Sequence, residues 1–275
     1  MRIYNNVNAV NSQNQLDTNS RMMSKSLEKL STGLRINRAA DDAAGLSVSE
    51  GLRSQIRGSQ MAQRNADDAT ALLQVAESGA QEIVDSLQRM RELAVQSANG
   101  TYSNTDRAYI QNEFDQLTCE IGRIGNSTTY NGISLINGSA TTFTFQVSAA
   151  ASGSSSSSTI SFSVVDLAKF GDSAVVGSVG SQGSAQAAVA SIDSVLNSVL
   201  SLRSDIGSVM NRLDKTIANL GNMVSNLTDA ESRIRDVDFA TETTKFSRNQ
   251  ILSQSSQSML AQANQLPSGV LSLLR

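Results

Sequence analysis

The side chains that carry out most enzymatic chemistry are nearly absent from this sequence. Its 275 residues contain no His and a single Cys, Cys119. Without His there is no Ser–His or Cys–His nucleophile pair and no zinc-ligand cluster, and one Cys cannot form a disulfide within the chain. Because no neighbouring base can activate its thiol, we expect Cys119 to be inert. The sequence therefore predicts no catalytic residue, no metal site, no cofactor and no enzyme activity.

The composition instead favours long helices. Only 39% of the residues are apolar and 4% aromatic, and there is one Pro, the residue that normally interrupts helices. A net charge of −3 without a basic block argues against binding to nucleic acid or to an anionic membrane. No apolar run reaches the roughly 18 residues that cross a bilayer, and the start of the chain lacks the apolar core of a cleaved secretory signal. Composition alone would suggest a cytoplasmic protein.

The middle of the chain has the pattern of a β-hairpin. Apolar and polar residues alternate over 142–147 and over 159–164, which is the period of a half-buried strand. Between them, residues 148–159 read SAAASGSSSSST, a Ser-rich composition typical of a flexible loop. We therefore predict two short strands joined by a loose tip.

Both flanking halves show the spacing of helices that pack side by side. Apolar residues recur every seven positions, in two series on each half, and such series form a seam that needs a partner helix. The C-terminal series are Ile192, Val199, Ile206, Leu213, Leu220, Leu227 and Ile234, and Leu196, Arg203, Met210, Ile217 and Val224. The N-terminal series are Ala69, Ala76, Ile83 and Met90, and Leu73, Ala80, Leu87 and Ala94. A half-length helix is expected between a capping box at Ser103 and a stop at 125–126.

These elements predict a mainly α fold: an elongated antiparallel helical bundle or coiled coil of N- and C-terminal segments with a small central β-hairpin. We place a terminal segment at 1–42 and the N-terminal part of a rod at 43–138. The hairpin with its Ser-rich loop occupies 139–183, the C-terminal rod helix 184–235, and a second terminal segment 236–275. The ends of the chain are expected at the same end of the rod.

The two terminal segments carry apolar stripes that are too narrow to support a core of their own. The N-terminal stripe includes Ile3, Val7 and Val10, and the C-terminal stripe places Leu252, Met259 and Leu266 seven residues apart, before a helix break at Pro267. Since no third segment remains to cover these stripes, we expect them to be buried only against other copies of the chain. This predicts a self-assembling polymer subunit.

Three blocks of the sequence closely resemble bacterial flagellins. They are LSTGLRINRAADDAAGL at 30–46, LQRMRELAVQSAN at 87–99 and MLAQANQLPSGVLSLLR at 259–275. The resemblance covers roughly 1–138 and 185–275, and the middle is too short for the outer variable domains of longer relatives. It implies that the terminal segments form the inner coiled-coil core of a motility filament and that the bundle forms an outer rod.

The same resemblance implies a location and a set of partners. Flagellins are exported unfolded through the channel of the flagellum without a cleaved signal, so an extracellular filament replaces the cytoplasmic expectation. The implied partners are other copies of the chain, the flagellar export apparatus and a secretion chaperone, the filament cap and hook-junction proteins, and a host Toll-like receptor. No nucleic acid and no membrane is implied.

A row beside the N-terminal seam is the candidate contact surface for the receptor or for a neighbouring subunit. By resemblance, Arg89, Leu93 and Glu113 match the positions that the host Toll-like receptor reads, and Leu93 is expected to be an apolar side chain outside the seam. The alternative is a charged face that contacts only solvent. The complete candidate set is Glu82, Gln88, Arg89, Leu93, Gln96 and Glu113.

Two other functions stay open at this point. A hook–filament junction protein shares the design of the terminal segments, although the C-terminal block favours a flagellin. A cytoplasmic coiled-coil scaffold would explain the heptads but not the matches at both ends. The segment 37–42 is either a solvated connector between helices or a contact with neighbouring subunits.

Overall fold

The computed structural model describes residues 6–138, 142–149 and 158–273, the last eight by backbone alone. As the sequence predicts, helices dominate: α1 (Val7–Thr32), α2 (Ala43–Ser97), α3 (Asn104–Ser127), α4 (Ser173–Val176), α5 (Gln182–Arg235) and α6 (Phe239–Leu273). The strands are β1 (Thr129–Tyr130), β2 (Ile133–Ser134), β3 (Thr142–Gln146) and β4 (Thr159–Ser163), and a 3-10 turn covers Ala168–Gly171. The mainly α fold class is confirmed.

The chain forms two compact units. The terminal unit comprises Met1–Ser54 with Asn226–Arg275, and the central unit comprises Gln55–Ser225. In the terminal unit, α6 continues through Pro267 to Leu273, so the helix break expected at this proline is wrong. A proline removes one backbone donor from the helix, and the hydrogen bonds on either side of it can persist.

The central unit has one hydrophobic core, to which both predicted seams contribute. All eight residues of the two N-terminal series are buried in α2, and Ile192, Val199, Ile206 and Leu213 are buried in α5. Several of the α2 residues are Ala, and small side chains let helix backbones approach closely. The heptad pattern therefore correctly identified which face of each long helix packs inward.

The second series in α5 was assigned to the wrong positions. Val195, Leu202 and Val209 are fully buried, whereas Leu196, Met210 and Ile217 only border the core. Residues three and four positions after a seam residue lie on the same helix face. After Ile192 and Ile206 both of these residues are apolar, and after Val199 only Leu202 is, because the next residue is Arg203. Residues of α2, α3 and the hairpin also belong to this core, so α5 buries a wider stripe than a two-helix seam requires.

The hairpin between the two halves is present as predicted. Strands β3 and β4 pair antiparallel, with Phe143 opposite Phe162 and Phe145 opposite Ile160. Ile160 and Phe162 are buried in the core of the central unit, and the other two side chains are half-buried against it. The Ser-rich tip falls largely on 150–157, outside the described residues.

A second, smaller hairpin was not predicted. Strands β1 and β2 pair through a two-residue turn at Asn131 and Gly132, whose φ angles are +50° and +78°. An Asn-Gly pair is the commonest sequence for this type of turn, because both residues tolerate positive φ. The signal was therefore present in the sequence, although the strands are only two residues long.

One stretch of α5 resembles a membrane span by length and composition. An 18-residue window has a mean hydropathy of 1.2, and 33% of it is buried within the protein. The core helix of a soluble protein gives the same signal. Because α5 supplies Ile192, Val199 and Ile206 to the hydrophobic core, packing within the chain accounts for its apolar character.

The turn between α2 and α3 is held by a buried arginine. Arg107 donates from Nε to the carbonyl oxygen of Ser97 at 2.9 Å, and from Nη2 to that of Asn99 at 3.0 Å. These carbonyl groups lie at the end of α2, where the last turn of a helix leaves acceptors without intrahelical partners. The positive charge is also favourable beside the negative end of the helix dipole. Arg107 thereby fixes how α3 turns back from α2.

We expect Arg107→Ala to lower the free energy of unfolding of the central unit by about 2–3 kcal/mol, because charge-assisted hydrogen bonds are lost and buried carbonyl groups lose their partner. Denaturant unfolding of the purified monomer measures this change. The matched control is Arg123→Ala, which removes an exposed ion pair with Glu120 on α3 and should cost well under about 1 kcal/mol. Equal effects of the two substitutions would contradict the role given to Arg107.

Candidate functional site

The two ends of the chain meet in the terminal unit, where α1 and α6 pair. Asn6, at the start of α1, donates from Nδ2 to the carbonyl oxygen of Ala263 at 2.7 Å. Asn19 donates from Nδ2 to Ser256 Oγ at 3.1 Å, and at the opposite end Val237 N donates to the Gly33 carbonyl oxygen at 3.0 Å. Residue numbers fall along one helix as they rise along the other, so the pair is antiparallel.

The buried positions in the contact between these helices hold mostly polar side chains. Asn19 and Ser26 of α1 and Glu242 and Ser256 of α6 are all buried, and we call these four residues the polar seam. In the described part of the two helices, Ala263 is the one apolar side chain that is fully buried. The half-buried apolar side chains that flank the seam are Ala9, Leu16, Met23, Leu30, Phe246 and Leu260.

Glu242 is the charged member of the polar seam. Burial opposes its ionisation, but hydrogen bonds from Ser26 and from Lys245 Nζ, at 3.3 Å, outweigh that effect and lower the pKa of the carboxyl group. The side chain is therefore held as a buried carboxylate by one residue from each helix. Breaking the helix pair would return this charge to water.

The predicted apolar stripes lie outside this contact. Val7 and Val10 on α1 are 55% and 59% exposed, and Leu252 and Met259 on α6 are 42% and 60% exposed. We call these four residues the terminal stripes. Ile3 and the side chain of Leu266, which were predicted to belong to them, lie outside the described residues. The two terminal helices of the chain pair with each other, and the terminal stripes remain exposed to solvent.

The sequence analysis did not identify the polar seam. Its positions follow a seven-residue repeat, Asn19 and Ser26 on α1 and Glu242, Asn249, Ser256 and Ala263 on α6. A search for apolar periodicity cannot find a contact made by Asn, Ser and Glu. The signal that could have revealed it is the same repeat read for small and polar residues.

The connector between α1 and α2 is anchored to the chain itself. Gly33 ends α1 with φ of +71°, and the next residue, Leu34, forms an isolated β-bridge with Asp236. Ile36 is buried. Asp41 accepts backbone N–H groups of the connector and contacts Lys25 of α1 at 2.7 Å. These contacts favour a structured intrachain connector over a freely solvated one.

The electrostatics of Asp41 follow from these contacts. The hydrogen bond from Lys25 lowers the pKa of the Asp41 carboxyl group to about 2, from an ordinary 3.8, against the opposing effect of partial burial. The backbone N–H groups of Asn37 and Arg38 lower the pKa further in the same direction. The connector is therefore stabilised by an ionised carboxylate.

The candidate contact surface on α2 contains an ion-pair network. Arg89 donates from Nε and Nη2 to Glu113 Oε1 on α3, at 3.0 and 2.8 Å, and from Nη1 to Glu92 at 3.0 Å. These hydrogen bonds raise the pKa of the guanidinium group, and the bonds that Arg89 donates to Glu113 have the largest effect. The structure thus brings Arg89 and Glu113 together. The other predicted polar members are exposed on α2, namely Glu82, Gln88 and Gln96.

Leu93 does not belong to this exposed surface. Its side chain is 2% exposed and is part of the hydrophobic core of the central unit. The prediction that its side chain is available to a receptor or a neighbouring subunit is wrong, because α3 lies against this side of α2, as the Arg89–Glu113 contact shows. A stripe that borders the α2–α5 seam is therefore buried by the third helix.

The described residues offer no catalytic or metal-binding constellation. No group of three or more His, Cys, Asp or Glu side chains within the described ranges is placed to hold a metal ion. Cys119 is exposed on α3. The features that remain for function are surfaces: the terminal stripes, the polar seam and the Arg89 network.

Comparison with known proteins gives matches in both halves of the chain. The bacterial flagellin N-terminal helical region matches residues 3–141, and the bacterial flagellin C-terminal helical region matches residues 189–274. A flagellin of Halalkalibacterium halodurans is 46% identical over 275 residues, with both chains covered in full.

Solved structures show the same fold. The crystal structure of Bacillus cereus flagellin has a TM-score of 0.50 and 30% identity, covering 57% of this chain and 88% of that chain. A putative flagellar hook-associated protein from Vibrio parahaemolyticus has a TM-score of 0.59, covering 71% of this chain and 100% of that chain. At 17% identity, the second similarity reports the fold alone.

A helical chain that pairs its two ends and leaves apolar faces open on them is a self-assembling structural subunit. The chain belongs to the bacterial flagellin family, and it is a subunit of the flagellar filament. The match over the full length of a flagellin favours this assignment over the hook–filament junction protein and over a cytoplasmic scaffold.

We expect the Asp41 contacts to stabilise the filament in a pH-dependent way. The pKa of this carboxyl group is lower in the folded chain than its ordinary value, so the stabilisation is fully present above about pH 4 and is lost as the pH falls toward 2. Asp41→Asn should destabilise filaments at neutral pH by about 1–2 kcal/mol per subunit, allowing for solvent screening of the exposed Lys25.

The measurement is thermal dissociation of filaments between pH 7 and pH 2, compared with the exposed α1 variant Asp17→Asn. The difference between Asp41→Asn and wild type should shrink through this interval and vanish at its acid end. A difference that stays constant with pH would show that the carboxylate charge is not responsible.

Proposed function

We propose that the terminal stripes are the surfaces through which copies of this chain join in the filament. The observation that carries the proposal is that Val7, Val10, Leu252 and Met259 are exposed on helices whose mutual contact is made by other residues. Among the described residues, the pairing of α1 with α6 does not cover these side chains, and a further chain would cover them. The segments 1–42 and 236–275 then act as assembly segments.

The energetics favour this use of the stripes. Complete burial of a Val, Leu or Met side chain contributes about 1.5–3 kcal/mol, and each subunit of a helical polymer meets several neighbours. The four stripe residues are separated along both helices, so they can contribute to more than one contact.

The remaining partners and the location follow from family membership. We propose that the chain passes through the flagellar export apparatus with a secretion chaperone, reaches the outside of the cell and assembles beneath the filament cap, beyond the hook-junction proteins. It acts as a structural polymer and has no enzymatic activity. The surface ion pairs and the capped helices support a mechanical role, since they fix helix positions.

We also propose that the Arg89 network is the part of the monomer that a host Toll-like receptor reads. Arg89 presents a guanidinium beside the Glu113 carboxylate, and arginine is a frequent anchor of protein interfaces. Glu82, Gln88 and Gln96 are exposed on the same helix and complete a polar surface. Burial of this face between stacked subunits would hide it in the intact filament.

We expect the double variant Leu252→Gln/Met259→Gln to remain folded as a monomer but to polymerise poorly. Losing two buried contacts of about 1.5–3 kcal/mol each should raise the critical concentration for polymerisation by at least about a hundredfold. Sedimentation of polymer at a series of protein concentrations measures this quantity, and circular dichroism checks the monomer. The control is Ser255→Gln/Ser258→Gln on the same helix, both at exposed positions. Normal polymerisation of the first variant would remove the stripes from the assembly mechanism.

We expect Arg89→Ala and Glu113→Ala each to weaken receptor binding by about 1–2 kcal/mol, as the loss of an interface anchor does. Receptor signalling with purified monomer and with cross-linked filament measures the effect, and the filament should be inactive. Leu93→Ala should instead lower the stability of the monomer by about 2–5 kcal/mol, because it leaves a cavity in the core. The control is Arg212→Ala, an exposed residue on α5. Signalling that is insensitive to both charge substitutions would leave the network as a solvated helix face.

A further inference from the structure

We propose that Asn131 is a site of spontaneous deamidation, in which water converts the side-chain amide to a carboxylate without an enzyme. The chain contains three Asn-Gly pairs, at 99–100, 131–132 and 137–138. Asn is most open to this reaction when Gly follows it, because a residue without a Cβ leaves its backbone nitrogen accessible. The three pairs share this sequence, and the structure restrains two of them and leaves Asn131 unrestrained.

The reaction proceeds through a cyclic imide. The backbone nitrogen of Gly132 attacks Cγ of Asn131, a new C–N bond forms, and the side-chain nitrogen leaves as ammonia with the proton that the Gly132 nitrogen gives up. Water then opens the ring. Cleavage of the bond at Cγ gives aspartate, and cleavage at the backbone carbonyl carbon gives isoaspartate, in which the main chain runs through the former side chain. An amide and a water molecule become a carboxylate and ammonium, with no oxidation or reduction.

Several features of the β1–β2 turn leave Asn131 open to this attack. Asn131 and Gly132 are both exposed, and the Asn131 side chain makes no hydrogen bond to any residue that the structure describes. A Cβ atom placed on Gly132 would meet nothing within 4 Å, so no neighbouring group obstructs the approach to its nitrogen. The flanking strands are two residues long, and so short a hairpin opens at little cost.

The other two pairs provide internal comparisons. Asn99 Oδ1 accepts the backbone N–H of Thr101 at 3.3 Å, and the Asn99 carbonyl oxygen accepts Arg107 Nη2 at 3.0 Å. Both groups that the reaction must move are therefore held.

The third pair is held by packing. Asn137 is half-buried, and a Cβ atom placed on Gly138 would stand 2.7 Å from Cβ of Asp166. Like the pair at 99–100, it reacts only after local opening, which slows it in proportion to the population of the open form.

The isoaspartate product would disturb more than the surface of the turn. It lengthens the main chain at a two-residue turn that depends on φ angles of +50° and +78°. Leu135 and Ile136, which follow β2, are each 1% exposed and belong to the core of the central unit. Leu135 N also donates to the carbonyl oxygen of Thr128, on the other side of the hairpin, at 3.1 Å. Loss of the turn geometry therefore loosens the attachment of this segment to the core.

The test follows the three pairs in purified full-length monomer, aged at neutral and at mildly alkaline pH in water enriched in heavy oxygen. Peptide mapping by mass spectrometry, after digestion in ordinary water, measures the fraction of each Asn that has become an acid carrying solvent oxygen. The same chain in denaturant is the reference, because none of the pairs is restrained there. The matched control is Asn131→Gly, which suits a positive φ and removes the amide.

We expect Asn131 in the folded chain to react at least about fivefold faster than Asn99 or Asn137, and the three rates to converge in denaturant. The rate should rise with pH, because the attacking Gly132 nitrogen must lose its proton. Aged wild type should unfold at a lower denaturant concentration than aged Asn131→Gly. Equal rates at the three pairs in the folded chain would overturn the inference, and so would an Asn131 that stays intact when folded but reacts in denaturant.

Discussion

The chemistry of the positions that repeat every seven residues decides the behaviour of each part of this chain. In α2 and α5 these positions hold Ala, Ile, Leu and Met, and burying them gives the central unit a core of its own. In α1 and α6 the buried positions hold Asn, Ser, Glu and one Ala, half-buried apolar side chains flank them, and Val7, Val10, Leu252 and Met259 are exposed. The same helix geometry thus produces one unit with an extensive hydrophobic core and one whose buried positions are mostly polar.

The low aromatic content follows from this construction. The paired helices are filled mainly by small and branched aliphatic side chains, and most of the rings lie where elements of different kinds meet. Five of the seven phenylalanines, Phe114, Phe143, Phe145, Phe162 and Phe170, belong to the core around α3, the hairpin and the 3-10 turn. There α3 also approaches the turn closely: a methyl group at Gly125 would stand 2.7 Å from the Cα atom of Ala168. Large rings fill the space between these elements, and the absence of a side chain at Gly125 lets α3 and the 3-10 turn approach closely.

Periodicity was sufficient to predict the long helices, the seam of α2, the first series of α5, the capping box of α3 and the central hairpin, because each is specified by local spacing or by a turn residue. Periodicity failed where two packing arrangements fit the same pattern of apolar residues. Val195 and Leu196 are both apolar and adjacent, so spacing could not tell which one faces the core. Leu93 is buried by α3, which a pattern within α2 cannot reveal. The polar seam was not predicted, because a search for apolar periodicity does not detect Asn19 or Ser256.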